Sequence, residues 1–171
     1  MHAMHHARRR TTLAAIVAAL PLISACASSD DAREPSDEIM PPSIAFASLV
    51  ANEWSVASVD GAPPPSGCVP TLVFSDLVPS SGKDVFVGRA GGLAGVNRAS
   101  AEVTVGPDDA IRFGPIIATR MAGPEPHMRF ERAYLDALQG ATAYTVSIDG
   151  MTLTITGGAK VVLSSTGESP R

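Results

Sequence analysis

Ala143-Tyr144-Thr145-Val146-Ser147-Ile148-Asp149-Gly150-Met151-Thr152-Leu153-Thr154-Ile155-Thr156 consists of two runs of alternating character joined by Asp-Gly. In the second run Met151, Leu153 and Ile155 share one face and Thr152, Thr154 and Thr156 the other, the period of a half-buried strand. Asp-Gly between two such runs is the strongest short-range hairpin signal. Gly157-Gly158 then turns the chain into a last strand, Val161 to Ser164. Just upstream the period changes. From Pro126 to Gln139, the residues Phe130, Ala133, Tyr134, Ala137 and Leu138 fall on one helical face. Pro126 suits the first turn of that helix and Gly140 the residue past its end.

Further back, the spacing predicts strands at Trp54–Val59, Thr71–Phe74, Asp84–Gly88, Ser100–Val105 and Ala110–Phe113. Asp60-Gly61 closes the first, and Gly106-Pro107-Asp108-Asp109 turns between the last two. The loop Pro63-Pro64-Pro65-Ser66-Gly67 cannot donate to a ladder and belongs at an edge or outside the sheet. Gly88, Gly91, Gly92 and Gly95 interrupt the strand pattern, permitting positive φ and close backbone crossing in a tight sheet. Many short antiparallel strands with one inserted helix make an α+β domain. Its sheet is strongly curved or barrel-like, and its one short helix precedes the C-terminal hairpin.

The N-terminal end reads as an export address. Arg8-Arg9-Arg10 is a basic n-region and Leu13–Ile23 an apolar run shorter than the roughly 20 residues that span a bilayer. Thr11-Thr12 follows the arginines where a twin-arginine signal prefers an aromatic and a leucine, which favours the general secretory route. Met4 serves as well as Met1 for a start and changes nothing downstream. Leu22-Ile23-Ser24-Ala25-Cys26 has the form of a bacterial lipobox, with cleavage between Ala25 and Cys26 and acylation (palmitate or a similar chain) of Cys26. Residues 27–43 are rich in acids, Ser and Pro and have little to bury, the composition of a tether. As a flexible coil such a segment spans about 23 Å root-mean-square. The expected parts are a signal peptide at 1–25, the lipidated Cys and tether at 26–45, a domain at 46–167 and a disordered tail at 168–171.

The leader removes three arginines and no acid, so the chain's 13 basic and 17 acidic residues leave a mature charge of −7. That balance excludes a nucleic-acid groove and electrostatic attachment to anionic lipid. The membrane contact is then covalent, through Cys26. Ala27 lacks the Asp that signals inner-membrane retention, which favours the outer membrane, facing the periplasm, in a cell with two membranes. In a cell with one, the domain sits on the outer face of the cytoplasmic membrane. With Cys26 acylated, Cys68 is unpaired. It reads as a small apolar residue beneath the proline-rich loop, and the chain as a monomer. The alternative is a disulfide-linked dimer through Cys68.

In order along the chain stand Trp54 with Asp60-Gly61, Pro70–Phe74, Gly88-Arg89-Ala90-Gly91-Gly92, Gly95-Val96-Asn97-Arg98, Ile117-Ala118-Thr119-Arg120-Met121-Ala122, a helix and a hairpin. This succession resembles the META domain, typified by heat-shock lipoproteins of the HslJ type, over residues 46–166. The resemblance implies a link to heat or antibiotic stress tolerance, with no mechanism attached. Such domains often carry cysteines where this chain has Val96 and Gly123. The resemblance implies that these two positions lie close in space and form a disulfide in relatives.

An enzyme needs positioned acids, bases or nucleophiles, and the supply is poor. Three of the four histidines leave with the leader, so a Ser–His–Asp triad would have to use His127, which reads as an exposed or capping residue. The Cys and His count excludes a clustered metal site. Asp108-Asp109 reads as solvated acids in a turn. The glycine run lacks the Lys-Ser/Thr and helix of a phosphate loop. Asn97 and Thr119 are expected to bond neighbouring backbone, and Arg98 and Arg120 to sit in surface salt bridges, with an anionic ligand as the alternative. We therefore expect a non-enzymatic envelope lipoprotein, without cofactor or metal, that binds or supports an envelope protein. The alternatives are a small-ligand carrier using the interior of the sheet, and a periplasmic protease inhibitor displaying Pro63–Pro65.

Overall fold

The computed structural model describes residues 42–80 and 84–168. Ala25, Cys26 and most of the expected tether lie outside them. In chain order the elements are α1 (Pro42–Ala51), β1 (Asn52–Val59), β2 (Thr71–Pro79), β3 (Phe86–Leu93), β4 (Arg98–Val105), β5 (Ile111–Phe113), β6 (Ile117–Ala118), α2 (Glu125–Gln139), β7 (Ala143–Val146), β8 (Thr152–Thr156) and β9 (Val161–Glu168).

The strands form one antiparallel sheet in the order β5-β4-β3-β2-β1-β9-β8-β7, with β6 added to β4 beyond β5. Its two ends meet. Ala110 bridges Ala143, Ile111 N–H donates to Thr142 O at 3.1 Å, and Tyr144 N–H to Asp109 O at 2.9 Å. The expected curved sheet is thus a nearly closed barrel, with first strand β1 paired to last strand β9. Alternation does the packing. Val103 and Val105 on β4, Leu153 and Ile155 on β8, and Val161 and Leu163 on β9 point inward and are buried, while their neighbours point out. Trp54 fills the interior, its ring N–H donating to Leu49 O at 3.1 Å.

The α+β class and the helix before the final strands are as the spacing predicts, but a second helix is present. α1 begins at Pro42, inside the stretch expected to be tether, and buries Ala45 and Leu49. Phe46 stacks on Phe86 with ring centroids 4.3 Å apart. The Pro-Pro-Ser entry resembles a linker, yet Pro is suited to a helix's first turn. α1 is also apolar nearly all round, so it carries little of the one-faced periodicity by which a helix is recognised.

The glycine run is the second correction. β3 does not stop at Gly88 but continues through Gly91 and Gly92 to Leu93, paired residue by residue with β4. None of the four glycines has a positive φ, so close approach is what they serve. A Cβ on Gly88 would lie 2.6 Å from Ser75 O, where β2 bulges, and one on Gly92 would lie 2.2 Å from Thr71 O. Both obstacles are backbone, which has little room to give. Gly92→Ala is therefore expected to lower stability by about 2–3 kcal/mol, in the range of core overpacking. Chemical denaturation of the two proteins checks this, and an unchanged midpoint would contradict the contact.

The hairpin through Asp149-Gly150 forms, with a wider loop than a two-residue turn. Val146 pairs with Leu153, Ser147 N–H donates to Thr152 O, and Gly150 takes φ +71°. Asp149 Oδ1 accepts Met151 N–H at 2.9 Å and the Ser147 hydroxyl. Those bonds to its charged form hold the exposed Asp149 carboxyl below its usual range.

Candidate functional site

Among the described residues Glu131 is the one buried acid, 6% exposed on the inner face of α2. Its Oε2 accepts the backbone N–H groups of Val96 (2.8 Å) and Asn97 (2.7 Å), and its Oε1 accepts the Asn97 side-chain amide at 2.8 Å. Asn97 is 2% exposed. Its amide also donates to Met121 O at 3.2 Å, and its Oδ1 accepts the Thr119 hydroxyl (2.9 Å) and Met121 N–H (2.7 Å). Thr119 Oγ1 in turn accepts Arg98 N–H at 3.2 Å. Both donors and both lone pairs of the Asn97 amide are used.

The cluster ties three pieces that the sequence keeps apart. The β3–β4 loop carries Asn97, the segment after β6 carries Thr119 and Met121, and α2 carries Glu131. The helix can approach because Gly95 has no side chain, since a Cβ there would lie 3.0 Å from Glu131 Cβ and 3.2 Å from His127 O. Asn97 and Thr119 do bond backbone, but that of Met121 and Arg98, 24 and 21 residues away, and not the neighbouring backbone expected. Glu131 was missed. It stands with Tyr134, Leu135 and Leu138 at i, i+3, i+4 and i+7, so a lone acid on the apolar face was the available signal. Ala133, assigned to that face, is exposed.

With both its oxygens engaged from inside the fold, the Glu131 carboxylate positions loops and is not presented to a substrate. Cys68 lies close by, buried at 7% exposure and free of any disulfide. Burial first, and then the Glu131 charge, push its thiol upward, away from the reactive thiolate. His127 sits at the start of α2 with a ring nitrogen 3.2 Å from Ser66 O, beside the proline-rich loop. Pro63 of that loop is exposed, and Pro64 and Pro65 are half-buried. Arg98 and Arg120 are exposed, and neither makes an ion pair among the described residues, contrary to the expected salt bridges.

Val96 and Gly123, the two positions singled out by the resemblance, face each other. A Cβ built on Gly123 would lie 3.2 Å from Val96 Cβ and 2.4 Å from one of its methyls.

A cleft of about 440 Å³ lies among Phe46, Phe86, Val105, Asp109 and Tyr144. Between α2 and the small residues of β3 and β4 remains a cavity of about 20 Å³, which has room for about one water. Tyr134 borders it, its hydroxyl buried without a partner and its ionisation pushed up by burial.

At the β4–β5 turn, Asp108 and Asp109 both take positive φ (+54° and +57°). Asp109 is half-buried, and its Oδ1 is shielded from solvent with no partner. Burial and then the Asp108 charge raise its carboxyl above the usual value. Tyr144 is pushed up to about 12 by burial and by Asp109. A raised folded-state carboxyl contributes its stability at pH values below its unfolded value and loses it as pH rises through the folded one. Asn also tolerates positive φ. Asp109→Asn is therefore expected to raise the melting temperature at pH 7 and leave it unchanged at pH 3, read by calorimetry at both values. Equal effects at the two would contradict the assignment.

Residues 47–168 match the family model of the META domain. None of the curated proteins matches the chain. Among solved structures, an NMR structure of a protein from Burkholderia xenovorans superposes with a TM-score of 0.54 at 24% identity. The match covers 81% of this chain and 99% of that one. At that identity the likeness speaks for the fold alone.

Proposed function

This chain belongs to the META domain family, and from that premise we propose a non-enzymatic lipoprotein of the bacterial envelope, whose domain binds or supports another envelope protein under heat or antibiotic stress. The observation that carries this reading is the direction of the polar side chains. Those that the fold gathers, Glu131, Asn97 and Thr119, spend their hydrogen bonds on one another and on nearby backbone. The cavity under α2 leaves room for about one water, which weighs against a carrier that would enclose its ligand there. What the domain offers is its exterior. The half-buried prolines of the 63–65 loop give a protease-inhibitor reading no added support.

In this proposal the signal peptide ends at Ala25, Cys26 carries two or three acyl chains, and the tether runs to Pro41, just before α1 begins at Pro42. One acyl chain gives marginal attachment, so multiple acylation at Cys26 supplies a stable anchor. The domain stands off the bilayer, monomeric, on the periplasmic face of the outer membrane or, in a one-membrane cell, on the outer face.

Cys26→Ser is expected to move the protein from the membrane fraction to the soluble fraction, read by fractionation and labelling with a palmitate analogue. Retention in the membrane with no label lost would defeat the anchor. In-cell crosslinking with and without heat tests the binding role. One envelope protein recovered through one face of the domain supports it, and scattered low-yield crosslinks oppose it.

A further inference from the structure

The cleft of about 440 Å³ opens at the end of the barrel where β3 begins and β4 ends. Part of its wall is apolar. Phe46 of α1 stacks on Phe86 with ring centroids 4.3 Å apart, and the buried Val105 and Tyr144 complete that part. The rest carries Asp84, Asp108 and Asp109. Among the described residues no basic side chain lines the cleft, and none of the three carboxylates has a hydrogen bond or an ion pair. Two polar groups there are shielded and unpaired. Asp109 Oδ1 is closed off from solvent with no partner. Tyr144 is 2% exposed, and its hydroxyl makes no hydrogen bond among the described residues. The two stand in each other's field, because burial and then the Asp109 charge push the Tyr144 hydroxyl up to about 12. Backbone bonds fix the turn that carries the acids. Gly106 N–H donates to Ala110 O at 2.9 Å, Ala110 N–H to Pro107 O at 3.1 Å, and Tyr144 N–H to Asp109 O at 2.9 Å.

A carboxylate and a phenol left without partners beside apolar rings cost the free domain stability, and a ligand that completes them recovers it. Such a ligand brings a positive charge, N–H donors for Asp109 and the Tyr144 oxygen, and hydrocarbon for the rings. A metal ion does not fit. Among the described residues no three acids, histidines or cysteines are gathered to hold one, and a strongly hydrated ion leaves the aromatic wall unused. An ammonium group is attracted to aromatic faces as well as to carboxylates. The volume falls within the range of small-molecule sites, about 300–1,000 Å³. We propose that the cleft binds a small organic amine, its ammonium between the Asp109 carboxylate and the Tyr144 hydroxyl and its hydrocarbon against Phe46, Phe86 and Val105. Asp84 and Asp108, both exposed, draw cations to the mouth. The stabilisation expected from Asp109→Asn at pH 7 fits a group that is kept for binding at a cost in stability. The site is separate from the Glu131 cluster. The inference depends neither on lipidation of Cys26 nor on an envelope partner.

The test titrates the full-length chain with phenethylamine, followed by calorimetry and by backbone amide shifts in NMR spectra. Binding is expected, with shifts centred on the Phe86, Asp109 and Tyr144 amides. Phenethyl alcohol keeps the ring and loses the charge, while calcium keeps a charge and loses the ring. Each is expected to bind at least about tenfold more weakly than the amine. Asp109→Asn and Tyr144→Phe should each weaken the amine about tenfold without lowering the melting temperature, since each removes a group that has no partner in the free domain. No binding at millimolar amine, shifts centred elsewhere, or equal binding of the alcohol or of calcium would each overturn the proposal. So would an affinity indifferent to both substitutions. A lysine-containing peptide that binds more tightly than the amine would also overturn it, since the cleft would then take a partner protein's side chain.

Discussion

Glu131→Ala is expected to lower stability by about 3–5 kcal/mol, because three neutral buried donors lose their one charged acceptor. The truncation takes away the acceptor for Val96 N–H, Asn97 N–H and the Asn97 amide at once. Hydrogen bonds to a charged group contribute about 1.5–3 kcal/mol each, but the three share one carboxylate and do not add. For a domain of this size the loss corresponds to a fall of about 10–20 °C in melting temperature. Glu131→Gln separates shape from charge. Its amide oxygen can accept two of the three bonds, while its NH₂ must face a donor, so about 1–3 kcal/mol should be lost. Hydrogen exchange gives the local reading. Val96, Asn97 and Met121 amides should lose protection in the Ala variant before the barrel strands do. A variant as stable as the parent would mean that solvent reaches these donors.

This cluster also marks where sequence reading reaches its limit. The barrel strands were legible because the rule for them is local: Leu153 and Ile155 alternate with threonines, and Asp149-Gly150 names the turn between their hairpin partners. α2 was legible from its face and its flanking Pro and Gly. Glu131 was not assigned, since its partners lie 34 and 35 residues away and no period links them. α1 was missed for a different reason, because burial of Ala45 and Leu49 under the barrel is a tertiary fact and the Pro-rich entry reads as linker. The glycines of β3 were assigned half correctly. Close crossing was the right cause, but a strand can continue through Gly91 and Gly92 when the neighbouring backbone needs their space. For Arg98 and Arg120 the expected salt bridge rested on frequency alone, and among the described residues neither forms one.

The second large effect should come from joining Val96 to Gly123. The resemblance to META domains implies a cysteine pair at these positions in relatives, and in this chain the two are neighbours, with the Cβ positions 3.2 Å apart. Disulfide Cβ atoms usually lie about 3.5–4.5 Å apart, so the backbone must open by a few tenths of an ångström. Gly123 is exposed and Val96 half-buried, which lets it do so. Crosslinking residues 96 and 123 closes a loop of about 28 residues, for which chain entropy gives about 3–4 kcal/mol. V96C/G123C is therefore expected to melt about 10–15 °C higher when oxidised, and the gain should vanish with reductant. The single variants should behave differently from the pair. Gly123→Cys alone places its Cβ 2.4 Å from a Val96 methyl and should destabilise, and Val96→Cys removes the methyls that cause the clash. A double-mutant cycle under reducing conditions should then show favourable coupling before any disulfide forms. The buried Cys68 thiol is shielded from competing for the bridge. A double variant whose thiols stay free under oxidising conditions would refute the contact between the β3–β4 loop and the segment that leads into α2.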